Sequence, residues 1–446
     1  MLFKNYEQII NNGQTPELKK VRNDILQFLE SAIDAVDPYN VIKSKFSNSK
    51  ITFGSELINI SDFGDVYLVG FGKASVGMAQ AVCDSINVKK GAIVTNDTKN
   101  SVSSKNIETI VGSHPIPDEK SVKGAEKVLE IIENCNESDL LVVLISGGGS
   151  ALLTKPRVKL KDLQETTDLL LKSGANINEI NTIRKHLSFV KGGQLAANAK
   201  CRVISLIVSD IIGDPIEFIA SGPTYPDSTT FQDSQNILKK YDLWEKIPID
   251  VKQTIEDGII GKIPETPKKN NTIFRNVSNF IVANNKIACN AAKEKAEELS
   301  YKAIILTTSL DGEAKDIGKY LAEKATSYLN EGKKVVFISG GETTVTIKGN
   351  GKGGRNQEMV LGSLEELVNG NVIFSSFATD GIDGMSNAAG AIADNLTLSR
   401  ANDENLDPLL FLEDNNSNEF FDRINDLLIT GPTGTNVMDI QIIVKF

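Results

Sequence analysis

The stretch Leu140-Leu141-Val142-Val143-Leu144-Ile145 is apolar at every position and runs straight into Ser146-Gly147-Gly148-Gly149-Ser150. A strand with one wet face alternates apolar and polar residues. An unbroken apolar run this short belongs to a strand covered on both faces, as in a parallel sheet between two layers of helices. The pattern recurs at residues 66–71 and 203–208, with a shorter strand at 92–94. Helical spacing separates these runs near residues 75–86, 121–132, 160–173 and 177–199. Ahead of them, Thr15-Pro16 reads as the cap and first turn of a helix ending at Asp37-Pro38.

A polar stretch containing IPETPKKNN follows, and beyond it the alternation begins again. Its strands fall near 280–283, 303–307, 335–339, 372–377 and 440–444, with helices near 287–299, 313–329 and 357–368. The expected fold is therefore α/β: two three-layer α/β/α domains with mostly parallel sheets and a site in the cleft between them. Residues 1–250 would form a Rossmann-like domain, 251–276 a linker, and 277–446 the second domain.

Length and charge agree with this division. A chain of 446 residues exceeds one ordinary core. A formal charge of −10 argues against a nucleic-acid partner, yet leaves room for a local basic site that takes a small anion. Cys83, Cys135, Cys201 and Cys289 lie far apart with no CxxC pair, which suits free thiols in a reducing compartment. The opening MLFKNYEQIINNG is too polar for a signal peptide, and no apolar run has membrane-spanning length. A cytoplasmic protein without a membrane partner is expected.

Ligands of such sheets bind at the carboxyl ends of the strands, so the strand-end loops carry the chemistry. Gly70-Phe71-Gly72-Lys73-Ala74-Ser75 sets a lysine at a helix start, where a phosphate is favoured. It is not a Walker A loop, since Tyr67 and Ala74 stand where Gly and Ser or Thr are required. A plain strand-to-helix turn with a surface lysine explains it equally. Gly147, Gly148, Gly149 and Ser150 suit either a phosphate cradle or a tight turn. His114, in the stiff SHPIPD segment, is a ligand or a packing residue. Arg184, in INTIRKHLS, is a carboxylate partner or part of a solvated helix face. Asp210 ends a buried strand, where an acid can hold Mg²⁺ or accept a proton. Asp214, before Pro215, reads as a turn former.

In the second half, Gly340-Gly341-Glu342 follows a strand. Gly349, Gly351 and Gly354 then match G-x-G-x-x-G, with Lys352 and Arg355 close by and Asn356 next. No acidic strand end lies about 20 residues further on, as a dinucleotide site requires, so an anion site is the better reading. Asp380 and Asp383, in TDGIDG, form a carboxylate pair for Mg²⁺ or an Asx-type turn. Glycine amides, cations and carboxylates, without any Cys–His or HExxH set, make up the inventory of phosphoryl transfer.

GFGKAS, SHPIPDEKS, ISGGGSALL, INTIRKHLS, VSDIIGDPIEFIASGPTYPD, ISGGETTVTIKGNGKGGRNQE and ATDGIDG together resemble the glycerate 2-kinase family of the MOFRL type, from about residue 15 to the C-terminus. The resemblance implies two α/β domains facing a cleft, and transfer of phosphate from ATP to O2 of D-glycerate with a divalent cation such as Mg²⁺. It also implies that Lys73 and Arg355 match the family's active-site cations. The remaining roles are physical inferences. Asp210 would orient the 2-hydroxyl or bind Mg²⁺, with Asp380 the second metal candidate. Gly147, Gly148, Gly149, Ser150, Gly340, Gly341, Glu342 and Asn356 would bind the nucleotide, and His114 and Arg184 the glycerate. Some family members carry a hydroxypyruvate reductase label, so an NAD(P)-dependent reductase is the rival. A binding module without turnover is a third reading, and a homodimer stays open.

Overall fold

The computed structural model describes residues 1–47, 49–54, 56–329 and 332–446. They form two compact units, one built from Pro38–Val282 and the other from Met1–Asp37 together with Ala283–Phe446.

The Pro38–Val282 unit opens with a short helix, Pro38–Lys43, followed by a small antiparallel sheet of β1 (Phe46–Ser47), β2 (Lys50–Phe53) and β3 (Glu56–Asn59). Its main sheet holds β4 (Val66–Phe71), β5 (Lys90–Thr95), β6 (Ile107–Val111), β7 (Leu140–Ile145), β8 (Arg202–Val208) and β9 (Val277–Ala283). The strand order is β6-β5-β4-β7-β8-β9, and the ladders from β6 through β8 are all parallel. Winding reverses between β4 and β7, which makes their shared carboxyl edge the switch point where such sheets take ligands. Every residue of β7 is at most 1% exposed, as its unbroken apolar sequence requires. Burial of each such aliphatic side chain contributes about 1.5–3 kcal/mol. The helix Glu119–Glu133 covers one face, with Ala125, Val128, Ile131 and Ile132 in the same core as Tyr67, Val69 and Val143.

The other unit contains β10 (Lys302–Leu310), β11 (Val335–Gly341), β12 (Val372–Ala378), β13 (Gly390–Asp394), β14 (Leu427–Leu428) and β15 (Asp439–Lys445), in the order β10-β11-β15-β12-β13-β14. The α/β class is as expected, but only the β10–β11 ladder here is parallel. The C-terminal strand β15 inserts between β11 and β12 and runs antiparallel to both. A strand buried on both faces is apolar throughout whichever way it runs, so composition did not reveal its direction. The insertion sets Asp439 opposite both Gly341 and Ala378, level with the ends of their strands.

The domain boundaries also differ from those expected. The long N-terminal helix, Pro16–Asp34, preceded by a short helix Tyr6–Asn11, starts as its sequence dictates, with the Thr15 side chain accepting from the Leu18 amide at 3.2 Å. It belongs, however, to the unit of the C-terminal half. Its fully buried Arg22 pairs with Asp394 at 2.6 Å and Asp426 at 2.7 Å, and Asp24 accepts from Tyr301 Oη at 2.5 Å. Periodicity locates a helix but not the distant carboxylates that a buried guanidinium demands. The stretch 251–276 is not a free linker. Helix Ile249–Ile259 buries Val251 and Ile255 in a helical core with Leu163, Leu170 and Leu238. The strand expected to open the second domain is β9, which completes the first sheet. No described helix is long and apolar enough to cross a membrane.

Candidate active site

At the switch point the loops after β4 and β7 are stitched together. The Lys73 amide donates to Gly147 O at 2.9 Å, and the Ala74 amide donates to Ser146 Oγ at 3.1 Å. Gly72, at φ +119°, lies so near Ser146 that a Cβ there would overlap it. The helix Ser75–Cys83 begins directly behind, leaving the Lys73 side chain exposed.

Each glycine of the second loop has its own reason. A Cβ on Gly147 would overlap the Asp210 carboxylate. Gly148, at φ +80°, would meet His114 Cδ2 at 3.0 Å and Lys73 Cγ at 3.5 Å, and Gly149 would press on Ala220 and the Phe71 ring. These bare backbones let Lys73, His114 and Asp210 gather around one short loop. Burial, and secondarily the Lys73 charge, hold the His114 imidazole below its ordinary pKa, so it is neutral at pH 7.

The rear of this loop is fixed by two basic side chains. Arg184 NH2 donates to Ser150 O at 3.0 Å, and the buried Lys191 Nζ donates to the same carbonyl at 2.6 Å and to Leu153 O at 2.9 Å. Burial, reinforced by Arg184, pushes Lys191 well below its ordinary pKa. Arg184, expected on the substrate carboxylate, is thus engaged with the loop backbone. Nor is its segment a solvated face. Lys185 is buried against Asp227 at 2.6 Å and Glu217 at 3.0 Å, and His186 lies buried against Glu265 at 2.9 Å. Ser150 Oγ bonds Ser221 Oγ at 2.7 Å, and Ser221 Oγ donates to Asn181 at 3.1 Å. Ala220, Ser221 and Gly222 have φ values of +50°, +62° and +60°. Two consecutive non-glycine residues in this region store strain of the kind that concentrates at functional sites.

In the other unit, Arg355 begins the helix Arg355–Gly362. Its Nε and NH2 donate to the two carboxylate oxygens of Asp439 at 2.5 and 3.0 Å, and NH1 pairs with Glu342 at 2.7 Å. Burial alone would lower the Arg355 pKa; the bonds and charge of Asp439, with Glu342 behind them, outweigh it and raise it. Burial pushes the Asp439 carboxyl up to about 6 even with Arg355 attached. Gly340 lies against Asn285, whose Nδ2 donates to Val437 O and Asp439 O, and Gly341 lies against Leu310.

Several expected ligand residues serve the framework instead. Asn356 is fully buried, its Nδ2 donating to Asp383 and its Oδ1 accepting from Ser376 Oγ at 2.6 Å. Asp383 caps the helix start, accepting from the amides of Asn356 and Gln357 at 3.0 and 2.9 Å. Asp380 accepts from the Ile382 amide at 3.0 Å, the Asx-type turn. Among the described residues no group of three or more His, Cys, Asp or Glu is gathered to hold a metal. Mg²⁺ needs no such cage, because it binds through one or two carboxylates together with phosphate oxygens and water.

The G-x-G-x-x-G match is packed shut. No strand precedes it, β11 having ended at Gly341. The amides of Lys348 and Gly349 donate to Asn415 Oδ1, Asn350 to Asp414 Oδ1, and Lys352 to Asn416 Oδ1. Its glycines allow close approach to residues 414–416 and Asp383. At the true first βα turn, Ser75 stands at the third fingerprint position and bonds Gly72 O at 2.7 Å.

Comparison with known proteins agrees with this geometry. Residues 24–256 match a domain of unknown function (DUF4147), and residues 335–439 match the MOFRL family. A glycerate 2-kinase of Pyrococcus horikoshii is 44% identical over 95% of this chain and 97% of its own. The chain belongs to the glycerate 2-kinase family. A D-glycerate 2-kinase of Thermotoga maritima is 38% identical over 94% of this chain and 96% of its own. A solved glycerate kinase structure from that organism, 37% identical, superposes with a TM-score of 0.85 over 96% of this chain and all of the other. An Agrobacterium vitis relative, 39% identical over 85% of this chain and 87% of its own, carries hydroxypyruvate reductase as a provisional name.

Sequence reasoning about this family member missed Asp439, Lys191 and the Ser150–Ser221–Asn181 chain. An acid heading the last apolar strand was the available signal for Asp439. Lys191, between Val190 and a glycine pair, offered none.

Proposed function

We propose that this chain transfers the γ-phosphoryl group of ATP to the 2-hydroxyl of D-glycerate, giving 2-phospho-D-glycerate and ADP. The observation that carries the reading is the meeting of Lys73, His114 and Asp210 around residues 147–150 at the switch point of the first sheet. The two kinase relatives, similar along nearly their full lengths, support the choice of substrate.

Phosphoryl transfer asks little covalent chemistry of the protein; positioning and charge stabilisation dominate. Lys73 neutralises oxygens of the transferring group, with the amides of residues 147–150 as further donors. Arg355 is the second cation, and its planar fork suits phosphate oxygens. Asp210 accepts the hydrogen bond of the 2-hydroxyl and takes its proton as the bond to phosphorus forms and the bond to ADP breaks. The neutral His114 offers a polar contact to glycerate without adding charge. Arg184 and Lys191 hold the loop in shape.

As the alternative to its role at the 2-hydroxyl, Asp210, the carboxylate against Gly147, would hold Mg²⁺. Asp380, already bonded to its own turn, is the weaker ligand. The ion supplies charge neutralisation among the phosphates when bound.

The test couples protein, ATP, Mg²⁺ and D-glycerate to enolase, pyruvate kinase and lactate dehydrogenase, with no phosphoglycerate mutase. NADH loss that requires both ATP and D-glycerate is the expected result. Signal only after mutase is added would mean 3-phosphoglycerate and overturn the regiochemistry. NADH loss with hydroxypyruvate alone, in the absence of coupling enzymes, would favour the reductase.

A further inference from the structure

Arg355 is held by two carboxylates of opposite character. Asp439 contributes both oxygens to the Nε–NH2 edge, and its side chain is 1% exposed. Its backbone is locked in β15 between β11 and β12, and its carbonyl accepts from Asn285 Nδ2 at 2.8 Å. Glu342 reaches NH1 through one oxygen at 2.7 Å, from a side chain 44% exposed on the loop just past β11.

One guanidinium between two ionised carboxylates makes a cluster of net charge −1. Such a cluster repels a phosphate rather than attracting it. For Arg355 to serve an anion, one carboxylate must leave. Asp439 is the wrong one to leave: it is buried, and separating it from Arg355 would strand a charge in a poorly solvated place. The ion pair to Glu342 is half in water, where such contacts are weak, and its glutamate can swing into solvent.

We propose that Glu342 is a displaceable counter-ion: the incoming phosphate takes its place on NH1 of Arg355, while Asp439 keeps the guanidinium aimed. This deepens the kinase reading and rests on Arg355 being its anion-binding cation. Glu342 is then neither a nucleotide ligand nor a structural tie. It is a competitor that keeps Arg355 neutralised until an anion arrives. Asp439 is a positioning residue that acts through Arg355.

Calorimetric titration with inorganic orthophosphate at low ionic strength tests this without relying on turnover. Glu342→Gln should bind orthophosphate two- to fivefold more tightly than wild type, the range of a half-exposed ion pair. The gain should vanish when Arg355→Met is added, and it should shrink as salt is raised. In steady-state kinetics Glu342→Gln should lower KM for ATP, whereas Asp439→Asn should lower kcat about tenfold or more at similar KM. A purely structural Glu342 would leave orthophosphate affinity unchanged or weaker, and either outcome overturns the proposal. Orthophosphate affinity indifferent to Arg355→Met overturns it as well. If the phosphate results hold but no kinase turnover is seen, the exchange stands and the substrate assignment falls.

Discussion

The two units present their cations in contrasting ways. Lys73 projects from a loop held through its backbone, the Lys73 amide on Gly147 O and the Ala74 amide on Ser146 Oγ. Arg355 is clamped by side chains, Asp439 on one edge and Glu342 on the other. The difference follows from the groups themselves. A lysine ammonium is a point charge on a flexible stem, so its placement comes from the loop beneath it. A guanidinium is a directional fork that a carboxylate can aim. Placement by backbone needs glycines, and placement by counter-ion needs a buried acid. The sequences differ in that way, with GFGK and SGGGS in one unit and a lone Asp439 heading β15 in the other.

That contrast can be broken at either end. The largest expected effect is at Lys73. Lys73→Met should cut kcat by about 10³-fold or more, the scale of losing a cation on a transferring phosphoryl group. Because the side chain is exposed, the melting temperature should stay near wild type. Turnover within a few fold of wild type would remove Lys73 from the chemistry. Next comes Gly147→Ala, whose methyl group would run into the Asp210 carboxylate. A displacement of about 1 Å costs on the order of 10²-fold in rate. Unchanged kcat would show that Asp210 is not held where the reaction needs it. Arg355→Lys should behave almost as a deletion, since an ammonium cannot make the paired bonds to Asp439. Near-normal activity there would mean that charge alone suffices and that the aiming by Asp439 is idle.

The smallest effect concerns pH. His114 has its pKa depressed by burial and then by Lys73. A depressed histidine stays neutral through pH 7 and takes its proton only on the acid side of its ordinary value. The folded chain therefore binds this proton less readily than the unfolded chain, and acid below about pH 6.5 works against both the fold and the neutral contact. KM for D-glycerate should be flat from pH 7 to 8 and rise a few fold at lower pH. That rise should be absent in His114→Gln. The same rise in the variant would assign the effect to another group.

The same contrast explains what could be read in advance. Backbone-built features were legible. The apolar runs at 66–71, 140–145 and 203–208 are β4, β7 and β8, and the glycines after the first two mark loops that a Cβ would spoil. Features built by side chains meeting across the chain were not. Nothing in Arg22 points to Asp394 and Asp426, so sequence alone places the helix Pro16–Asp34 in the wrong unit. Nothing in the apolar run after Asp439 says that it runs antiparallel between β11 and β12. The G-x-G-x-x-G match misled for a related reason. Its glycines serve close packing on residues 414–416, a role that spacing alone does not separate from ligand binding. Arg184 and Asn356 had the chemistry of ligand residues, but their partners, Ser150 and Asp383, lie elsewhere in the chain.

The central claim is transfer of phosphate to O2 of D-glycerate, and proton-coupled ³¹P spectroscopy of the product tests it most directly. The protein, ATP, Mg²⁺ and D-glycerate are incubated alone, without coupling enzymes. A phosphate ester on O2 is split by the single C2 proton, so the account predicts a new doublet that grows with ADP and is absent from Lys73→Met. A triplet, from the two C3 protons, would contradict the regiochemistry. ADP formed without any new ester would contradict the kinase assignment itself.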